Sequence, residues 1–147
     1  MQNAQTLKIS NFLEGKSYPI DVRSPSEFLQ GHIPSAINIP LFSNEERSSV
    51  GLSYKTLGQE EAVHLGLKYV GPKLDFFAQE LKKHSANGIC HIHCWRGGMR
   101  SQSLAWLASL LNLQAYTLQG GYKTFRNWVL NTIKTPLKIK ILGGLTG

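Results

Sequence analysis

The chain has 147 residues, 41% hydrophobic and 17% charged, with a mean hydropathy of −0.18. That is the size and composition of one ordinary soluble globular domain, long enough to bury a core. No apolar run approaches membrane-spanning length, and residues 1–16 lack the apolar block of a signal peptide. Two cysteines, Cys90 and Cys94, are too few for a disulfide scaffold; an extended strand would hold them about 13 Å apart, beyond bridging distance. A reducing cytoplasm is the expected compartment, with Cys90 a core residue of its strand.

In chain order, Tyr18 to Val22 reads as a strand. Ser24-Pro25-Ser26-Glu27 then starts a helix, with Ser24 as N-cap, Pro25 at the first helical position and Glu27 closing a capping box. Gly31 ends that helix, and Ala36 to Pro40 is a second short strand. Phe42 to Val70 reads as a long connection with one helical stretch, from about Gln59 to Tyr69. Pro72 to Lys83 is an amphipathic helix with Leu74, Phe77, Ala78 and Leu81 on one face. Gly88 to His93 is a third strand, and Arg100 to Leu113 carries Leu104, Leu107, Ala108 and Leu111 at helical spacing. Ala115 to Leu118 is a fourth strand. After Gln119-Gly120-Gly121-Tyr122 a last helix presents Phe125, Trp128, Val129 and Ile133. The pattern predicts an α/β fold, a mostly parallel sheet of about five strands flanked by helices on both faces.

Within that layout Cys94 falls where a strand ends and a loop leads into a helix, the position at which open α/β sheets bind ligands. Gly97 and Gly98 permit positive φ and close backbone approach. A loop curled around the sulfur would turn successive N–H groups inward as an anion nest, and the next helix adds positive charge at its N-terminus. Arg96 and Arg100 contribute fixed charge and can grip an oxyanion. Each of these favours thiolate over thiol, so Cys94 reads as a catalytic nucleophile. Trp95, Arg96, Gly97, Gly98, Met99, Arg100 and Ser101 form the expected substrate-binding loop. His91 and His93 share one strand face, but no third ligand stands at a telling spacing, so no metal site is expected.

His93-Cys94-x5-Arg100-Ser101 resembles two families: rhodaneses, whose cysteine carries sulfur or selenium, and cysteine phosphatases, some of which share the rhodanese fold. Asp21-Val22-Arg23-Ser24-Pro25-Ser26-Glu27-Phe28 with Gly31-His32-Ile33-Pro34 is similar to the N-terminal signature of rhodanese domains, and Leu118-x-Gly120-Gly121-Tyr122-x5-Trp128 to their closing segment. The resemblance implies mainly structural roles for Asp21, Arg23, Glu27 and His32. Residues 1–135 are thus expected to be a rhodanese-like domain. In residues 136–147, Leu137 to Leu142 alternates as a strand and runs into Gly143-Gly144-Leu145-Thr146-Gly147, which resembles the start of a truncated P-loop domain.

Together with Cys94-Trp95-Arg96-Gly97-Gly98-Met99-Arg100, this combination resembles the bacterial tRNA 2-selenouridine synthases. Membership would imply a transferase that replaces the sulfur of wobble 2-thiouridine by selenium, by way of an S-geranyl intermediate, with Cys94 carrying selenium as S-selanylcysteine. The partners implied are tRNA, selenophosphate and a C-terminal P-loop domain. No cofactor is implied; selenophosphate and geranyl diphosphate would be substrates of the full-length enzyme. In the expected chemistry the Cys94 thiolate attacks selenium and phosphate leaves into the nest. The departure is the missing Walker lysine, so the 147 residues alone are expected to be incomplete for the full reaction. Three alternatives stand beside that reading: a stand-alone sulfurtransferase using thiosulfate or a persulfide, a rhodanese-fold phosphatase, and a non-catalytic tRNA-binding module, against which the intact thiolate chemistry argues.

Charge adds a direction. All nine Asp and Glu fall in residues 1–80, beside seven Lys and Arg, whereas residues 81–147 hold nine Lys and Arg and no acid. A half-chain without a carboxylate, and containing the cysteine loop, suggests a polyanion such as nucleic acid, with Lys82, Lys83, Lys123 and Arg126 as candidate contacts.

Overall fold

A computed structural model describes residues 4–15, 17–136 and 144. The strand and glycine run expected at 137–147 therefore lie outside the described residues, apart from an exposed Gly144. The strands are β1 (Gln5–Leu7), β2 (Pro19–Asp21), β3 (Ile37–Asn38), β4 (Ile89–His93) and β5 (Gln114–Leu118). The helices are α1 (Ile9–Leu13), α2 (Pro25–Leu29), α3 (Asn44–Thr56), α4 (Gln59–Val70), α5 (Leu74–His84), α6 (Met99–Leu110) and α7 (Gly121–Ile133), with one 3-10 turn at Gly71–Lys73.

All five strands pair in parallel, in the order β1-β5-β4-β2-β3. β4 is the middle strand: Ile92 stands opposite Ile20 on one side and Thr117 on the other. Its side chains divide the core. Cys90, Ile92 and Cys94 point into a cluster with Ile20, Val22, Phe77, Leu81, Leu104 and Ala108, under α5 and α6. His91 and His93 point the other way, edge-on to Phe12, on the face covered by α1 and α7. Helices thus cover both faces, and full burial of a side chain such as Phe77 or Leu81 contributes about 1.5–3 kcal/mol each.

Local chemistry accounts for the helix starts. The Ser24–Glu27 capping box is complete: the Glu27 amide donates to Ser24 Oγ at 3.5 Å and the Ser24 amide to Glu27 Oε2 at 3.0 Å. A second box, Ser43–Glu46, opens α3 with bonds of 3.1 and 2.8 Å. The reading of residues 42–58 as connection is therefore corrected: α3 and α4 pack together as a helical pair. β1 and α1 were also not expected from pattern, and β1 supplies the fifth strand. Three residues long, it is held as an edge by its ladder to β5 and a Thr6–Thr117 hydroxyl pair.

Candidate active site

Cys94 follows the last residue of the central strand and is 3% exposed. Its carbonyl accepts the Tyr122 amide at 2.8 Å, and the Trp95 carbonyl accepts the Lys123 amide at 3.0 Å. The first turn of α7 is thereby stitched to the cysteine loop. Among the described residues, none of the N–H groups of residues 95–98 donates to a backbone carbonyl. Open amides beside a sulfur are what an anion nest requires.

Two glycine turns make the close approach possible. Gly97 (φ +70°) has no room for a Cβ, which would lie 2.8 Å from the Leu118 carbonyl oxygen. Gly121 (φ +62°) faces the loop in return: a Cβ there would lie 2.6 Å from the Gly97 nitrogen and closer still to the Cys94 oxygen. Gly98 differs from expectation. Its φ of −96° is ordinary, and a Cβ would meet nothing within 4 Å; it serves as the N-cap of α6.

Ser101, fully buried in the first turn of α6, places Oγ 3.3 Å from Cys94 Sγ and donates to the Gly98 carbonyl at 3.1 Å. Trp95 is half-buried with its ring 5.7 Å from that of Tyr122, while Arg96 and Met99 are exposed. Arg100 makes a two-pronged contact with Glu27, Nη1–Oε2 2.7 Å and Nη2–Oε1 3.3 Å. Arg47 adds a looser approach to the same carboxylate at 3.8 Å. Burial works to raise the Glu27 pKa, but Arg100, the Ser24 amide and Arg47 outweigh it and hold the carboxyl below its ordinary value. Glu27 is thus more than a cap: it joins α2 to the cysteine loop.

Beneath the loop, Asp21 and Arg23 form a fully buried ion pair at 2.6 Å. The Arg23 guanidinium also donates to the Gly31 carbonyl and lies 3.9 Å from the Tyr122 ring centroid and 5.8 Å from that of Trp95. His32 stacks on Phe28 at 4.0 Å, a scaffold contact. His93 is fully buried, and burial lowers its pKa to about 4, so it is neutral at physiological pH. His91 is buried and bonded to Ser17, its pKa likewise lowered by burial. Among the described residues no three His, Cys, Asp or Glu side chains are grouped to hold a metal ion. Cys90 packs against α5 with its thiol near the Leu81 carbonyl, and burial pushes its pKa up to about 11.

Residues 8–127 match the family described as the rhodanese-like domain. The chain belongs to that family. Within it, this rhodanese-like domain is 41% identical to the N-terminal domain of a putative ATP/GTP binding protein from Clostridium difficile 630, with a TM-score of 0.81 over 86% of this chain and 99% of that one. A rhodanese-related protein from Thermoplasma volcanium, 19% identical with a TM-score of 0.52 over 84% of this chain and 92% of that one, shares the fold alone. Among curated proteins, the tRNA 2-selenouridine synthase of Sulfurovum sp. is 42% identical over 136 residues, 87% of this chain and 36% of that one. That of Shewanella denitrificans is 39% identical over 144 residues, 94% of this chain and 39% of that one. The rhodanese-like chain therefore spans little more than a third of the length of these relatives. Among the described residues no helix is long and apolar enough to cross a membrane.

The residues expected at the site divide: Ser101 lies against Cys94, Trp95 packs beside Tyr122, Arg96 and Met99 stand exposed, and Arg100, expected to grip an oxyanion, is engaged by Glu27 instead. Glu27 and Arg47 meet the end of the loop, and Lys123 meets its start. No local pattern could pair Arg100 with a carboxylate 73 positions earlier.

Proposed function

We propose that this chain is the chalcogen-carrying domain of a tRNA 2-selenouridine synthase, a cytoplasmic transferase in which Cys94 holds selenium as S-selanylcysteine. The selenium is destined for the 2-thiouridine at the tRNA wobble position, by way of its S-geranyl form. The observation that carries the reading is Cys94 at the end of the central strand, inside a loop whose amides at 95–98 are open and whose carbonyls are held by α7. The likeness to named 2-selenouridine synthases, across nearly all of this chain, supports selenium as the chalcogen.

Each part of the loop then has a task. The open amides and the N-terminus of α6 stabilise an anionic sulfur or a departing oxyanion. Ser101 Oγ stands beside the sulfur, and Arg96 stands exposed at the rim to draw in an anionic donor. Arg100 holds the loop's far end against Glu27.

Electron counting constrains the loading step. When a thiolate takes selenium directly from selenophosphate, the S–Se bond forms, the Se–P bond breaks, and its electron pair stays on phosphorus. The released group is then phosphite. Phosphate is released only when an oxygen nucleophile takes the phosphorus, and selenium then departs as selenide, itself a nucleophile. The expectation of a simple phosphate leaving group is therefore replaced by a measurable alternative. Incubation with selenophosphate should leave a selenium adduct on Cys94, seen by mass spectrometry and absent in Cys94→Ser, with phosphite as the phosphorus-NMR product. Loading only from a perselenide donor, R–S–Se⁻, with R–S⁻ released, would keep the carrier role and move selenophosphate to a later step. No adduct from either donor, with aryl phosphates hydrolysed through a phosphocysteine, would hand the site to the phosphatase reading.

A further inference from the structure

We propose that single-stranded RNA is received across one flank of the cysteine loop, on Trp95, Arg96, Lys123 and Arg126. The inference deepens the reading of this chain as a tRNA-modifying domain and rests on it.

The start of α7 is bonded to the loop, since the Lys123 amide donates to the Trp95 carbonyl. The side chains of Arg96 and Lys123 therefore leave the backbone close together, and Arg126 follows on the next turn of α7. All three are exposed. Beside them, Trp95 is only half-buried, and its ring is backed by Tyr122 and by the buried Arg23 guanidinium. A fixed aromatic face next to a run of cations is the arrangement that takes an unstacked base together with its phosphates.

Charge gives the flank its direction. The carboxylates shown against the loop are engaged: Asp21 by Arg23 beneath it, and Glu27 by Arg100 and Arg47 at its far end. From residue 81 onward there is no Asp or Glu at all, so α7 carries no acid of its own. Lys82 and Lys83 belong elsewhere. They sit at the end of α5, just before β4 begins, whereas Cys94 lies where β4 ends; Lys83 is also paired with Glu80 at 3.2 Å. Five residues of strand separate those ends by about 16 Å, so an RNA reaching Cys94 meets α7 first. The basic half-chain is thus divided by the fold into a surface at the nucleophile and one remote from it.

The test is fluorescence anisotropy with a labelled anticodon stem–loop RNA, titrated with the unmodified chain over a range of salt starting near ~50 mM. Lys123→Glu/Arg126→Glu should weaken binding at least about tenfold and flatten the log–log salt dependence by about one to two. Trp95→Ala should cost about tenfold, with little change in that slope. Lys82→Glu/Lys83→Glu should stay within about twofold of the unmodified chain, since it lies beyond the footprint. Equal loss from both charge reversals, or no loss from the α7 pair, would overturn the proposal, as would an unmodified chain that fails to bind. So would an α7 reversal that spares RNA but abolishes binding of the remaining portion of a relative's protein, because the flank would then be a protein interface. Selenium loading of Cys94 in the unmodified chain is read separately. Loading with no RNA footprint on α7 sinks the surface alone, and an α7 footprint with no loading sinks the transfer reading alone.

Discussion

Arg100 and Glu27 close a circuit between the end of the cysteine loop and the first turn of a helix 73 residues earlier. The same carboxylate that satisfies the Ser24 amide receives both prongs of the guanidinium. Loop position and helix cap therefore depend on one side chain.

Glu27→Gln should destabilise the chain by about 1–3 kcal/mol at neutral pH, since it removes the charge while leaving an acceptor for the cap. Arg100→Lys should restore little, because a single ammonium cannot reproduce the fork. The folded carboxyl is held below its ordinary value, so its stabilisation is complete above the ordinary carboxylate range and is lost as pH falls through the lowered value. In urea unfolding, the gap between unmodified chain and Glu27→Gln should hold steady from pH 7 to about 5 and narrow only below that. A gap that shrinks between pH 7 and 6 would assign the effect to another group.

His93 acts in the same direction over a higher pH window. Its pKa is lowered to about 4 when folded, against about 6.5 in the unfolded chain, so between those values the unfolded state binds more protons. Stability should fall by about 3 kcal/mol as pH drops from 7 to 4, with His91 adding in the same direction. His93→Leu should flatten that slope. Persistence of the full slope in the variant would show that another group carries it.

Alkylation should distinguish the two thiols. Cys90 is fully buried and its pKa is pushed up to about 11, so at pH 8 it stays protonated and shielded. Peptide mapping after iodoacetamide should find label at Cys94 well before Cys90, and Cys90→Ala should retain the selenium adduct. Labelling of both at similar rates in the folded chain would contradict the buried placement of Cys90.

The loop glycines should divide sharply. Gly121→Ala adds a methyl against the Cys94 carbonyl at a positive φ, and should cost about 1–3 kcal/mol as well as disturbing the loop. Gly97→Ala should behave similarly, its Cβ pressing on the Leu118 carbonyl. Gly98→Ala meets open space at an ordinary φ and should be nearly neutral in thermal unfolding. Three equal effects would mean that flexibility, not close packing, is why the glycines are there.

What the sequence determined by itself was local. The Ser24–Glu27 capping box, the apolar spacing of α5 and α6, the strand that ends at Cys94 and the two glycine turns all arise from residues within a few positions of one another. Such patterns are written in propensity and periodicity, which is why the strand end at His93, the glycine loop after it and the following helix are legible along the chain. Even α3 carried its signal in Ser43 and Glu46; its weak face hid it, since Val50 packs on the core while Leu52 and Tyr54 stay exposed. Only the tertiary structure decided the rest. β1 is three residues that become a strand through the ladder β5 offers them. Arg100 meets Glu27, and Arg23 lies beneath Trp95 and Tyr122, because the sheet order sets distant loops side by side. The basic residues of the second half are one run in sequence, yet a helix antiparallel to β4 carries Lys82 and Lys83 away from the nucleophile while α7 brings Lys123 to it. Long-range pairing of this kind follows from which strands lie adjacent, and no spacing along the chain encodes it.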